Sequence, residues 1–113
     1  MSNLLNEIKF VEYIGTSTLQ MKQGDLTPIY IELIGVKKTL RNTSPSTAQV
    51  FLISTDNSVA YKKEAEVSLG QLKLIIEKTL PVGRYHIEIN HEGRIYPSNN
   101  SHNIQVNASA DLN

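Results

Sequence analysis

Three histidines, His86, His91 and His102, are the side chains best suited to chemistry in this chain. Imidazole ligates metals and moves protons near neutral pH. A zinc site needs three or four ligands converging at about 2 Å, ideally with supporting partners, and neither H-x-H nor HExxH spacing is present. His86 falls on the polar face of a strand pattern, His91 beside a hairpin pattern, and His102 beside a segment broken by Pro97. They read as exposed or interface histidines. Nucleophilic catalysis has no firmer footing. No serine lies in a G-x-S-x-G elbow, and no two carboxylates share a spacing that marks an acid–base pair. Glu64 and Glu66 alternate along one strand face, as a solvated edge does. Glycine-rich phosphate loops are absent. With no tryptophan and two phenylalanines, few rings could stack a sugar in a glycan-cleaving site. The expectation is a protein that is not an enzyme and uses no metal and no cofactor.

At 113 residues the chain reads as a single domain over 1–113, with residues 1–6 and 107–113 as frayed tails. A chain of this length buries roughly two-thirds of the surface its unfolded form exposes, enough for a core without staples. That core has to suffice, because there is no cysteine. Eleven basic and eleven acidic side chains cancel to a formal net charge of zero. Nucleic-acid binding relies on a surplus of Lys and Arg, so that function is not expected. The densest basic groups, Lys37-Lys38 with Arg41 and Lys62-Lys63, are short, and Glu64 and Glu66 follow the second. Near neutrality, assembly with copies or partners meets little charge repulsion. The first residues lack the basic and apolar regions of a signal peptide, and no apolar run approaches the ~20 residues of a membrane span. Synthesis in the cytoplasm without membrane insertion is the expectation.

The elements that must position these residues are short strands separated by turn chemistry. Glu7 to Ile14 reads as the first strand and Met21 to Asp25 as a turn around Gly24. Ile29, Ile31 and Leu33 alternate with Tyr30, Glu32 and Ile34, with Pro28 at the start, where a missing donor does least harm. Arg41 to Ser46 reads as a polar loop. Ala48 to Ser54 is apolar on both faces and is predicted to be central. Thr55-Asp56-Asn57-Ser58 reads as a hairpin turn, and Val59 to Val67 as a weak, polar strand suited to a sheet edge. Leu72, Leu74 and Ile76 alternate next, and Gly70 argues against a helix there. Gly93 marks another hairpin, and Asn103 to Val106 a last strand.

Leu80 to Asn90 carries the strongest architectural signal. Pro81 and Gly83 punctuate, and Tyr85, Ile87 and Ile89 then alternate with polar residues. A tyrosine entering a strand after such a corner matches the tyrosine corner of immunoglobulin-like sandwiches, whose hydroxyl ties back to the backbone. The predicted fold is an all-β, immunoglobulin-like antiparallel β-sandwich of about seven to eight strands. Its predicted core is Ile31, Leu33, Val50, Leu52, Leu72, Leu74, Tyr85, Ile87 and Ile89. Asn42-Thr43-Ser44, Asn99-Asn100-Ser101 and Asn107-Ala108-Ser109 match the glycosylation pattern, but in so Asn- and Ser-rich a chain they read as turn chemistry.

The run Val67 to Ile76, the Pro81-x-Gly83-x-Tyr85 corner and Gly93-Arg94-Ile95-Tyr96-Pro97-Ser98 together resemble the N-terminal domain of baseplate upper proteins from siphophages and prophages of Gram-positive bacteria. Gln23-Gly24-Asp25 leading into Ile29 to Leu33 fits the front of the same pattern, so the resemblance spans about Phe10 to Val106. It implies a structural domain of the virion tail baseplate that docks onto other tail proteins or onto copies of itself, and carries receptor-binding modules beyond its C-terminus. The sequence departs from that pattern in ending at Asn113, and the expectation is either the isolated domain or a small stand-alone relative. The family motif marks a fold, so it assigns no catalytic residue. Phe10 and Tyr13, apolar and near a chain end, are the candidate docking surface; Pro81, Gly83 and Tyr85 are the structural corner. The alternative reading is a carbohydrate- or cell-surface-binding β-sandwich module, for which Tyr13, Tyr61 and Tyr96 are the available rings.

Overall fold

Alternating side chains become nine strands in the computed structural model, which describes residues 6–35 and 46–110. In chain order they are β1 (Glu7–Phe10), β2 (Thr18–Lys22), β3 (Ile29–Ile34), β4 (Ser46–Ile53), β5 (Val59–Ser68), β6 (Gln71–Leu74), β7 (Gly83–His91), β8 (Arg94–Tyr96) and β9 (Asn103–Asn107). They hydrogen-bond in the order β1-β3-β6-β5-β4-β7-β9-β2, with β8 added to β7. No α-helix occurs among the described residues, and none that is long and apolar enough to cross a membrane. The all-β class therefore holds. The strand count and the purely antiparallel pairing need correction, because β2 runs parallel to β9.

The sheet is curled rather than flat. Its two ends come together where the Phe10 ring on β1 meets the His102 ring just before β9, edge to face at 5.2 Å. Asn6 bonds across to the segment after β8: its carbonyl accepts from Ser98 N–H at 2.6 Å, and its own N–H donates to Ser98 Oγ at 3.0 Å. Inward-pointing residues from eight of the strands then share one apolar cluster. All of the predicted core residues lie in it, joined by Ile8, Phe10, Val67, Ile76, Leu80, Tyr96, Ile104 and Val106. Removing each such aliphatic side chain from water contributes about 1.5–3 kcal/mol.

Individual elements follow from their side chains. β4 is flanked by β5 and β7, as its two apolar faces require. Its outer residue Phe51 stands opposite Lys62 on one side and Glu88 on the other, with the Lys62 ammonium 5.6 Å from the ring centre. Both hairpin turns form. Asp56 caps the first, its Oδ1 accepting from Ser54 Oγ, Ser58 N–H and Ser58 Oγ while Asn57 takes φ +68°. Those bonds to the ionised form pull the Asp56 carboxyl down to about 2. In the second, Glu92 and Gly93 take φ +51° and +79° between the paired residues His91 and Arg94, the two-residue geometry that glycine favours.

Several expectations change. The first strand stops at Phe10 instead of Ile14, because Val11 to Gly15 turn, with Tyr13 N–H donating to Phe10 O. β5 lies inside the strand order and pairs with β4 along its length, but its ladder to β6 is only Val67↔Leu72 and Ser68↔Gln71. Val59 to Glu66 therefore have a strand partner on one side alone, and side chains meet the other flank. Lys63 pairs with Glu77 there, and Tyr61 Oη accepts from Glu77 N–H and donates to Ile75 O. Of the two expected frayed tails, Asn6 is buried and Asn107 ends β9. The predicted polar loop from Arg41, the Lys37-Lys38 group and Asn42 lie outside the described residues.

Candidate functional site

The histidines do not converge on a centre. His86 is half-buried on β7; His91 bonds to Ser46 Oγ at 2.7 Å and lies 3.3 Å from the Glu92 carboxylate. His102 packs on Phe10 and bonds to Ser101 Oγ at 2.8 Å. Burial pushes the His102 imidazole below the usual histidine range, only partly opposed by the negative charge of Glu7. Among the described residues no three potential ligands group around a metal position.

The corner is built as its residues specify. Tyr85 is buried on β7, and its hydroxyl donates to Pro81 O at 2.6 Å. Burial raises the Tyr85 hydroxyl above its ordinary value, so it stays a donor. Gly83 sits at φ +158°, a backbone conformation that residues with a Cβ rarely adopt, although the space where a Cβ would project is open. Glycine is needed there for its backbone, as the corner pattern implies.

The two candidate docking residues separate. Tyr13 is 47% exposed, whereas Phe10 is 1% exposed and belongs to the core. The alternation Ile8, Phe10 points inward as β1 closes the curl, so Phe10 cannot face a partner. Tyr13 instead forms a wall of a cleft of about 350 Å³ between β2 and the start of β3. Leu19 and Met21 from β2, Ile29 from β3, and Ile76 and Ile104 line it with apolar surface; Thr16, Thr18 and Thr27 line it with hydroxyls.

β2 itself offers something the side chains do not. Asn103 N–H donates to Ser17 O, and Gln23 N–H donates to Asn107 O, each at 2.9 Å. In the parallel register Leu19↔Ile104 and Met21↔Val106, residues 17, 19, 21 and 23 therefore aim their backbone groups at β9. Thr18, Gln20 and Lys22 aim theirs the other way, where the strand order has no neighbour. Among the described residues β2 is thus an open edge with three N–H and two free C=O groups outward, the Lys22 carbonyl being taken by Asp25 N–H at 3.2 Å. It carries no proline and one charge, Lys22 at its end. β1 is the other terminal strand, but Glu7 and Lys9 stud it with charge.

The open edge was the feature least visible in the sequence. Leu19 and Met21 alternate with Thr18, Gln20 and Lys22, which is a strand signal, but Met21 also opens the stretch that reads as a turn. The turn comes later, at Gln23-Gly24.

A second concavity, of about 940 Å³, is polar. Asn6, Glu7, Glu88, Arg94, Ser98 and Asn100 line it together with the half-exposed Ile95.

No family model matches the chain, and no curated protein matches it by sequence. One solved structure, trypsin-activated alpha-2-macroglobulin from Escherichia coli, is similar in fold, with a TM-score of 0.54 at 11% identity over 91% of this chain. This chain spans 7% of the length of that protein. The likeness concerns the fold alone.

Proposed function

We propose that this chain is a non-enzymatic assembly domain of a phage or prophage tail baseplate that works by docking to another protein in the virion. The observation that carries docking is the β2 edge. Outward backbone groups on Thr18, Gln20 and Lys22 form a template for an added strand, and natural edges not meant for pairing are blunted by charge, proline or bulges. The apolar cleft alongside gives an incoming strand somewhere to set alternate side chains. The baseplate assignment is supported by the resemblance over Val67 to Ser98. The immunoglobulin-like sandwich that it implies is supported by strand order: β1-β3-β6-β5 and β4-β7-β9 follow the two sheet orders of that fold, with the tyrosine corner at the start of β7. Partners are other tail proteins, or further copies of the domain.

Gln20→Pro tests the reading. The Gln20 N–H takes no part in the ladder to β9, so proline there leaves that ladder intact while removing an outward donor and one long, exposed side-chain bond from Asn107 Nδ2 at 3.4 Å. Immobilised wild-type domain is expected to capture a tail protein encoded beside it, and Gln20→Pro to lose that capture with its thermal midpoint unchanged. Capture of no tail protein by the wild type, or equal capture by the variant, overturns the proposal.

A further inference from the structure

The polar hollow beside β8 shares no residue with the β2 edge, and we propose that it is a binding site for a neutral oligosaccharide. Its back wall is fixed. Asn6 is 7% exposed, and each polar group of its side chain has a partner: Oδ1 accepts from Arg94 Nη1 at 3.4 Å, and Nδ2 donates to Ile95 O at 3.3 Å. The two bonds between the Asn6 backbone and Ser98, one to its N–H and one to its Oγ, clamp the opposite lip. The site is therefore held in shape before any ligand arrives.

The groups facing the space are uncommitted. Neither the Glu7 nor the Glu88 carboxylate makes a hydrogen bond or ion pair among the described residues. Arg94 engages Asn6 through one nitrogen, which leaves further N–H donors of the guanidinium. Asn100 adds an amide that both donates and accepts. A lining with paired acceptors, a guanidinium and an amide suits a ligand whose every polar group is donor and acceptor at once. Sugar hydroxyls are such groups. The charge count of two carboxylates against one guanidinium disfavours phosphate and other anions. No group of three potential ligands favours a metal among the described residues. Ile95, 48% exposed at the rim, supplies apolar surface for the C–H face of a ring. No aromatic ring joins the lining, so binding is weak per sugar unit and gains from repeated units.

The test is an amide chemical-shift titration of the intact domain with maltotriose, chitotriose and a rhamnose trisaccharide, and separately with inorganic phosphate and calcium chloride. The expected result is saturable shifts at Arg94, Ile95 and Asn100 with at least one trisaccharide. Affinity should fall roughly tenfold in Glu88→Gln, the loss expected for one charge-assisted hydrogen bond. Asn100→Ala, on an exposed loop, is a second variant should Glu88→Gln perturb the fold, and it should weaken binding likewise. No saturable shift at these amides with any trisaccharide overturns the proposal. So does binding undiminished in both variants, or phosphate or calcium taking the same amides in place of sugar.

Discussion

Tyr85 ties a strand to the turn before it through one hydroxyl. The bond to Pro81 O is short at 2.6 Å and part-buried, so its loss also leaves a carbonyl without its partner. Tyr85→Phe should lower stability by about 1 kcal/mol, read as a shift in urea midpoint with an unchanged denaturant slope. His102 bears on pH. Its buried ring disfavours the proton, so the unfolded chain protonates first as pH falls through about 6.5. The stabilisation is complete above that pH, declines as pH drops towards the lower folded value, and levels off below it. Urea midpoints between about pH 7.5 and 5.5 should fall in the wild type, and His102→Gln should flatten that part of the fall. An identical slope in the variant would remove His102 from the account. Phe10, the partner of that ring, shows why residue type near a chain end is a poor guide to surface. Period-two alternation with Ile8 already placed it on an inward face, and the curl of the sheet supplied the far wall.

Among the elements, the β5–β6 hairpin carries a local misfit. Leu69 and Gly70 form the loop between the paired residues Ser68 and Gln71, at φ +53° and +78°. Gly70 suits a left-handed position, but Leu69 has a Cβ that crowds the following carbonyl. Its side chain is exposed. Leu69→Asn should therefore raise stability by about 0.5–1 kcal/mol, measured by thermal or urea melting, because asparagine tolerates this conformation. Elements with strong alternation were legible from sequence: β3, β4 and β7 fall where Ile31, Leu33, Val50, Leu52, Ile87 and Ile89 point inward. β5 was legible in part: its Lys and Glu residues suggested an edge, and Val59 to Glu66 pair with β4 alone, while Val67 and Ser68 go on to meet β6. The long charged stems let the backbone pair on one side while charge stays in solvent. β2 was missed because a five-residue strand with one apolar face half-buried competes in sequence with the adjacent Gly24 turn. Parallel pairing with a strand more than eighty residues away leaves no local signature at all.

At the scale of the molecule, one curled sheet encloses a single cluster of apolar residues and leaves β1 and β2 as its terminal strands. β1 is protected by charge, and β2 is not. Zero net charge adds no repulsion against an approaching chain. The neutral charge was legible in the sequence, but the location of the open edge was not, because a free edge is a property of backbone groups and every residue has those. Amide hydrogen exchange at β2, followed while the domain binds a captured tail protein, addresses that location directly. Strand addition predicts that exchange at Thr18, Gln20 and Lys22 slows by roughly tenfold or more on complex formation, while Leu19 and Met21, already bonded to β9, change little. A complex that forms with exchange at Thr18, Gln20 and Lys22 unaltered would contradict docking through this edge.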